Sequence, residues 1–226
     1  MDLIAALRTT GAVREFEPEP VPDDVLYRIL DTARFAPSGG NRQGWRVVVV
    51  KDPGVRRALR DLYLPGWYEY LAQAQAGLVP WAPVTDDEAE HRAIESAAEF
   101  PPEPGPFATH LDEAPALLVL LADLRALAAV DKGFDRYTLA GGASIYPFAW
   151  SVLLAARAEG LGGVITTMAI RREDEVKRLL DAPDPFVVAG LIVLGRPVRQ
   201  PTRLRRRPVE EFTTTDGADG PPFSPA

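Results

Sequence analysis

The stretch Ala36-Pro37-Ser38-Gly39-Gly40-Asn41-Arg42-Gln43-Gly44-Trp45 sets hydroxyl and amide side chains, Ser38, Asn41 and Gln43, beside two glycines. Gly39 and Gly40 let backbone amides approach a ligand closely, and Pro37 stops a preceding helix. Such a loop either grips a polar ligand or is a plain turn. A second concentration of chemistry is Arg203-Leu204-Arg205-Arg206-Arg207, basic on a chain whose net charge is −7. Guanidinium forks bind phosphate through paired, charge-assisted hydrogen bonds; the alternative is a solvated arm. Arg14, on one face of the alternating Ala12–Phe16, is either a surface group or a fixed cation. Gly160-Leu161-Gly162-Gly163-Val164-Ile165-Thr166-Thr167 is a further glycine-rich passage. No GxGxxG follows a strand and no GxxxxGK[ST] occurs, so neither a Rossmann half nor a P-loop is supported.

The 226 residues contain no Cys and two His, which excludes disulfides, thiolate metal sites, iron–sulfur clusters, cysteine nucleophiles and a histidine-rich metal site. No metal site is expected. The acidic balance argues against nucleic acid as a partner. No segment approaches the roughly 18 consecutive apolar residues of a membrane span, and a soluble, cytoplasmic protein without a membrane partner is expected.

The elements that must position these groups follow from periodicity. Asp2 caps a short helix over 2–10, and Pro22-Asp23-Asp24 starts a helix over 22–35 with Val25, Leu26, Ile29, Leu30 and Ala33 inward. That helix delivers the chain to the 36–44 loop. Trp45–Val50 is β-branched and apolar on both faces, which predicts a central strand. Val55, Ala58, Leu59 and Leu62 stripe the next helix. Residues 64–113 carry many prolines and both His; they read as a lid or a partner-wrapping arm with helical patches near 66–78 and 86–99. His91, amid charges, reads as a solvated helix-face residue. Pro115–Ala122 is a buried strand, with helix as the alternative. A long helix is predicted over 138–160, ending at Gly160, then a helix from Arg171 and the clearest strand, Phe186–Gly195. Residues 1–212 form one domain, and 213–226, rich in Thr, Gly, Asp and Pro, are expected to be a disordered tail.

Taken in order, Arg14-Glu15-Phe16, Pro20-Val21-Pro22 with its helix, the 36–45 loop, Gly160-Leu161-Gly162, Leu194-Gly195-Arg196-Pro197 and Arg206-Arg207-Pro208-Val209-Glu210-Glu211 resemble the FMN-dependent nitroreductase family from about Leu7 to Phe212. The resemblance implies an α+β fold with a central mixed β-sheet flanked by helices. It implies an interlocked homodimer with one FMN at each end of the interface, and NAD(P)H as reductant. The activity it implies is hydride transfer through FMN to a small-molecule electron acceptor by a ping-pong mechanism. Divergent flavin chemistry on the same fold (FMN fragmentation, dehalogenation or substrate oxidation) and a non-catalytic flavin binder stand as alternatives.

By the same resemblance, Arg14 faces flavin N1 and O2, where negative charge collects on reduction. Pro37, Ser38, Gly39, Asn41 and Gln43 hold the ribityl chain and ring edge. Gly163, Ile165, Thr166 and Thr167 present backbone amides to the ring, and Ser144, Ile145 and Tyr146 keep the expected form in the long helix. Arg205, Arg206 and Arg207 take the place of the phosphate ligands. Trp67, Tyr68 and Trp81 are either substrate-stacking aromatics or packing anchors. Two departures stand out: Thr10-Gly11-Ala12 replaces the family's Arg-x-Ser, and Trp150-Ser151 replaces its Gln-Asn pair.

Overall fold

The computed structural model describes residues 2–225. Its centre is a four-stranded sheet of β1 (Trp45–Val50), β2 (Ala116–Asp123), β3 (Gly162–Thr166) and β4 (Phe186–Gly195), in the order β1-β2-β4-β3. All neighbouring strands pair antiparallel. The parallel component of the expected mixed sheet is an isolated bridge between Ala12 and Gly163. The central position belongs to β2 and β4, and β1 lies at an edge, contrary to the reading of its sequence. The misreading has a physical cause. Helices cover both faces of the edge strand as well, so Val47 and Val49 pack on one core and Val48 and Val50 on the other, which gives the valine run of an interior strand. Pro115–Ala122 resolves as strand: Leu118, Leu120 and Ala122 face one core while Leu117, Val119 and Leu121 face the other.

One face is covered by α2 (Asp23–Ala33) and α6 (Tyr146–Ala158). The other is covered by α3 (Pro53–Gln75), α5 (Gly105–Thr109) and α7 (Glu173–Leu179). The short α1 (Leu3–Thr9) is capped as expected, the Asp2 carboxylate accepting from Ala5 N–H at 3.1 Å. The helix predicted over 138–160 is shorter. Ala140–Ser144 is a 3₁₀ turn, and α6 begins only at Tyr146 because Pro147 is best placed at a helix start. At its other end Gly160, with φ 78°, closes a Schellman cap in which Leu161 N–H donates to Ala156 O.

In the 64–113 region both expected helical patches are present: the first is the second half of α3, which runs unbroken through Pro65 for 23 residues in all, and the second is α4 (Asp87–Glu99). Pro65 removes one helical donor, but α3 is held on both sides of it by buried Leu59 and Tyr63 and by Gly66. A Cβ on Gly66 would lie 2.5 Å from Met168 O. Within the segment expected to be a disordered tail, residues 213–223 close a turn through Thr215 N–H to Pro221 O and Phe223 N–H to Thr213 O. Ala226, included in that expectation, lies outside the described residues. No helix among the described residues is long and apolar enough to cross a membrane.

Candidate functional site

The residues named from sequence fall into two groups at opposite ends of the sheet. At one end, just before β1, the 36–44 loop forms a tight structure. Gly40, Asn41 and Gln43 all have positive φ, 62°, 53° and 50°, conformations unfavourable for the two non-glycine residues unless something holds them. The Ser38 hydroxyl oxygen accepts Gln43 N–H at 3.0 Å, and Gln43 Nε2 donates to Asn41 Oδ1 at 3.2 Å. Gly39 N–H donates to Ser144 Oγ at 3.0 Å, tying the loop to the turn before α6. Pro37, Asn41 and Gln43 are exposed, so the loop offers a preformed polar rim.

Ser144 is held in turn from behind. The Asp131 carboxylate, 4% exposed, accepts from Leu139 N–H at 2.6 Å, from Ala140 N–H at 3.2 Å and from Arg136 Nη1 at 3.0 Å. The Leu139 amide, and after it Arg136 and Ala140, hold the Asp131 carboxyl at about 2, below its ordinary 3.8, against the opposing effect of burial. Ile145 is buried in the core, so only its backbone can reach a ligand. Tyr146 is half-exposed, with its hydroxyl donating to Ala189 O at 3.3 Å.

At the other end, residues 12–17 cross the edge of the sheet. Val13 N–H donates to Gly163 O, Glu17 N–H to Arg196 O, and Val198 N–H to Glu15 O. This places Arg14 beside the last residues of β4, with its guanidinium 5.9 Å from the Phe107 ring centroid. It borders a groove of about 610 Å³ shared by Phe16, Glu17, Phe107, His110 and Val198. Behind Arg14, the fully buried Tyr63 hydroxyl meets Thr166 Oγ1 at 3.1 Å; burial pushes the Tyr63 phenol up to about 12, with Thr166 and the Arg14 charge opposing that rise. Tyr63 therefore stays neutral, and Arg14 is the cation of this corner, with Glu15, Glu17 and Glu113 lining the same groove.

The arginine arm reaches the same end. A Cβ on Gly11 would lie 2.8 Å from Leu204 Cδ2, and Gln200 Nε2 donates to Thr9 O at 3.2 Å. The segment that lacks the family's Arg thus lies directly under the residues that lead into Arg203–Arg207. At its base Thr10 Oγ1 and Gln200 Oε1 are buried without partners among the described residues, which is unfilled hydrogen-bonding capacity. No acidic side chain within 4.0 Å pairs with Arg8, Arg14, Arg199, Arg205, Arg206 or Arg207 among the described residues. Free cations, an orphaned hydroxyl and an aromatic-lined corner fit a phosphate-bearing flavin such as FMN at this end.

The structure separates this end from the 36–44 loop. Trp45 pairs with Ala122 and Val50 with Leu117, so β1 alone puts roughly 17 Å between them at about 3.4 Å per residue. Thr166 joins the Arg14 end through Tyr63, and Ile165 packs on the core shared with α6. Gly163 is a packing glycine. An added Cβ would meet Leu194 Cδ2 at 2.5 Å and Val193 O at 2.6 Å, so its contribution toward a ligand is the carbonyl that fixes Val13.

Of the aromatics, Trp67 stacks on Tyr70 (5.3 Å) and Tyr63 (6.0 Å), with its indole N–H donating to Pro104 O at 2.7 Å. Trp81 packs 6.4 Å from Tyr70, under the Arg171 guanidinium. Both are engaged as anchors; Tyr68 is half-buried and outside that stack. Tyr63, Phe107 and Asp131 escape the sequence reading. The signal for Tyr63 was its i, i+4 spacing to Trp67 on one continuous helix, α3. Among the described residues no cluster of His, Asp and Glu could hold a metal ion.

A model of the nitroreductase family matches residues 7–196. Among curated proteins, an NADH dehydrogenase of Thermus thermophilus is 29% identical over 93% of this chain and 94% of its own length. Human iodotyrosine deiodinase 1 is 26% identical over 92% of this chain and 66% of its own. A 5,6-dimethylbenzimidazole synthase of Rhodobacter capsulatus is 27% identical over 86% and 83%. Among solved structures, a BluB-like flavoprotein from Clostridium difficile superposes with a TM-score of 0.68 at 22% identity, covering 96% of this chain and all of that one. Oxidized iodotyrosine deiodinase bound to FMN and 3-iodo-L-tyrosine gives a TM-score of 0.64 at 23% identity over 92% and 96%. At these identities the superpositions establish a shared fold.

Proposed function

The chain belongs to the nitroreductase family, and we propose that it is an FMN-dependent oxidoreductase. In this reading it moves a hydride from NAD(P)H through FMN to an electron-poor acceptor, a nitroaromatic, a quinone or a similar compound, by a ping-pong sequence. The observation that carries the reading is the division of the candidate residues between two ends of one sheet: a cationic corner at Arg14 and the arginine arm, and a polar loop at Ser38–Gln43 backed by Ser144. Neither end is a complete flavin site, and a homodimer that sets one chain's corner against its partner's loop supplies both halves twice. Exposed Leu3, Leu7, Leu139, Tyr146 and Trp150 on and beside α1 and α6 give such an interface its apolar surface.

When bound, FMN supplies a carrier that accepts and returns a hydride at one ring position. The protein's own residues hold and screen it. Arg14 places a permanent cation where reduction gathers negative charge, without a desolvated carboxylate beside it to cancel the field. Arg205, Arg206 and Arg207 bind the phosphate, and the preformed loop orients the ring edge at little entropic cost because its strained residues are already fixed. Anaerobic titration tests this: purified protein is yellow, NADH or NADPH bleaches it, and a quinone restores the colour. A colourless protein that takes up no FMN at micromolar concentration overturns the reading.

A second reading on the same site is a divergent member acting on its own organic substrate, in dehalogenation, FMN fragmentation or substrate oxidation. The relatives named as deiodinase and benzimidazole synthase support it. So does Ser151, which stands in place of one of the family's amide residues and whose hydroxyl donates to Pro147 O at 2.8 Å within α6. Rapid-mixing reduction separates both from a flavin-binding protein without turnover, which takes up FMN and is bleached by neither nicotinamide.

A further inference from the structure

We propose that Asp131 is the positioning residue of the polar half-site, acting through the Ala140–Ser144 turn on the Ser38–Gln43 loop; the inference rests on that loop being a wall of the flavin site. The chain of contacts is continuous. Asp131 is nearly inaccessible, and both its oxygens are spent on the start of one turn: Oδ2 accepts Leu139 N–H at 2.6 Å and Ala140 N–H at 3.2 Å, and Oδ1 accepts Ala140 N–H at 3.3 Å. These amides open the 3₁₀ turn Ala140–Ser144, whose first donors have no partner within the turn itself. At the far end of that turn stands Ser144, 7% exposed, with Oγ 3.0 Å from the Gly39 amide. Gly39 is the residue before the three left-handed positions of the loop.

Glycines at 141 and 142 give this turn little intrinsic rigidity. Its far end is anchored by Ile145, 2% exposed and αR in its backbone, which leads directly into α6, so the buried Asp131 carboxylate is what fixes its near end. Arg136 completes the device: its Nη1 donates to Asp131 Oδ2 at 3.0 Å and to Tyr137 O at 2.8 Å, which ties the connecting loop to the same carboxylate. A buried carboxylate accepting several amide hydrogens has strong geometric demands, and any loosening there is delivered to Ser144 rather than to solvent.

The half-site orients the ring edge and ribityl chain, not the phosphate. Asp131→Asn should therefore weaken riboflavin and FMN alike, each by about tenfold, with the Ser144→Ala change costing a similar factor and the double variant no more than either alone. Flavin fluorescence quenching with apoprotein measures all four proteins, and circular dichroism and thermal melts identify any variant that is not folded. Arg136→Gln, a change at an exposed side chain, is the milder second variant and should shift riboflavin affinity in the same direction by a smaller factor. A folded Asp131→Asn protein that melts lower but binds riboflavin within twofold of wild type overturns the positioning role, as do multiplicative losses in the double variant. Wild-type protein that binds neither flavin overturns the underlying reading of the site instead.

Discussion

The glycines of the 160–163 passage look alike in sequence yet should respond very differently to a single added methyl. Gly160 has φ 78° with nothing within 4 Å of where a Cβ would sit, so Gly160→Ala suffers only left-handed backbone strain, about 1 kcal/mol. Gly162 would meet Val13 Cγ2 at 2.7 Å, a side chain that can shift part-way. Gly163 would meet Val193 O at 2.6 Å and Leu194 Cδ2 at 2.5 Å, and the carbonyl cannot retreat without opening the β3–β4 ladder. Gly163→Ala should cost about 3 kcal/mol, the upper part of the overpacking range. At about 2–4 °C per kcal/mol for a chain of this size, that lowers Tm by roughly 6–12 °C. Urea unfolding should show the midpoint falling in the order Gly160→Ala, Gly162→Ala, Gly163→Ala with an unchanged slope. Because Gly163 O fixes Val13 and hence Arg14, Gly163→Ala should also weaken FMN binding while Gly160→Ala should not. A Gly163→Ala midpoint at or above that of Gly160→Ala refutes the role of close packing at this strand.

Three further outcomes follow from the same geometry. Arg14→Ala should lower the flavin reduction potential and slow bleaching by nicotinamide in rapid mixing, and an unchanged potential and rate would remove Arg14 from the site. Replacing Arg205, Arg206 and Arg207 by Gln should reduce affinity for FMN more than for riboflavin; equal losses would argue against a phosphate role. Asp131 has a folded-state carboxyl held at about 2 against an ordinary 3.8, so the stability it contributes is present above the higher value and is lost as pH falls through that interval. Urea midpoints measured from pH 5 to pH 2 should therefore fall less steeply for Asp131→Asn than for wild type, and parallel curves would contradict the assignment.

Much of the fold was legible because its signals are local. Asp2 caps a helix, Gly160 closes one, and the apolar run of β4 reads as a strand outright, while that of β2 reads as a strand with helix as the alternative. Strand order was not legible: β1 reads as interior because its valines pack against helices on both faces, although it is less deeply buried than β2. The polar loop announced itself through Ser38 and through Gly and Asn, the latter two being residues that tolerate the left-handed conformations found at 40 and 41. Its support did not, since Asp131 reaches Ser144 only through the backbone amides of residues 139 and 140, a relation with no sequence spacing of its own. Nor did composition reveal that Arg14 and the loop stand at opposite ends of the sheet, which is set by strand register.

That separation makes subunit complementation the most direct test of a flavin site shared between two chains. Arg14→Ala and a Ser38→Ala, Asn41→Ala double variant, carrying different affinity tags, are co-expressed and the mixed dimer is isolated. Each parent homodimer has two damaged sites, whereas the mixed dimer has one site with both halves intact and one with both altered. The mixed dimer should bind FMN and be bleached by NAD(P)H at about half the wild-type amount per dimer, well above either parent. A mixed dimer no better than its parents would place the whole site within one chain and contradict the shared site.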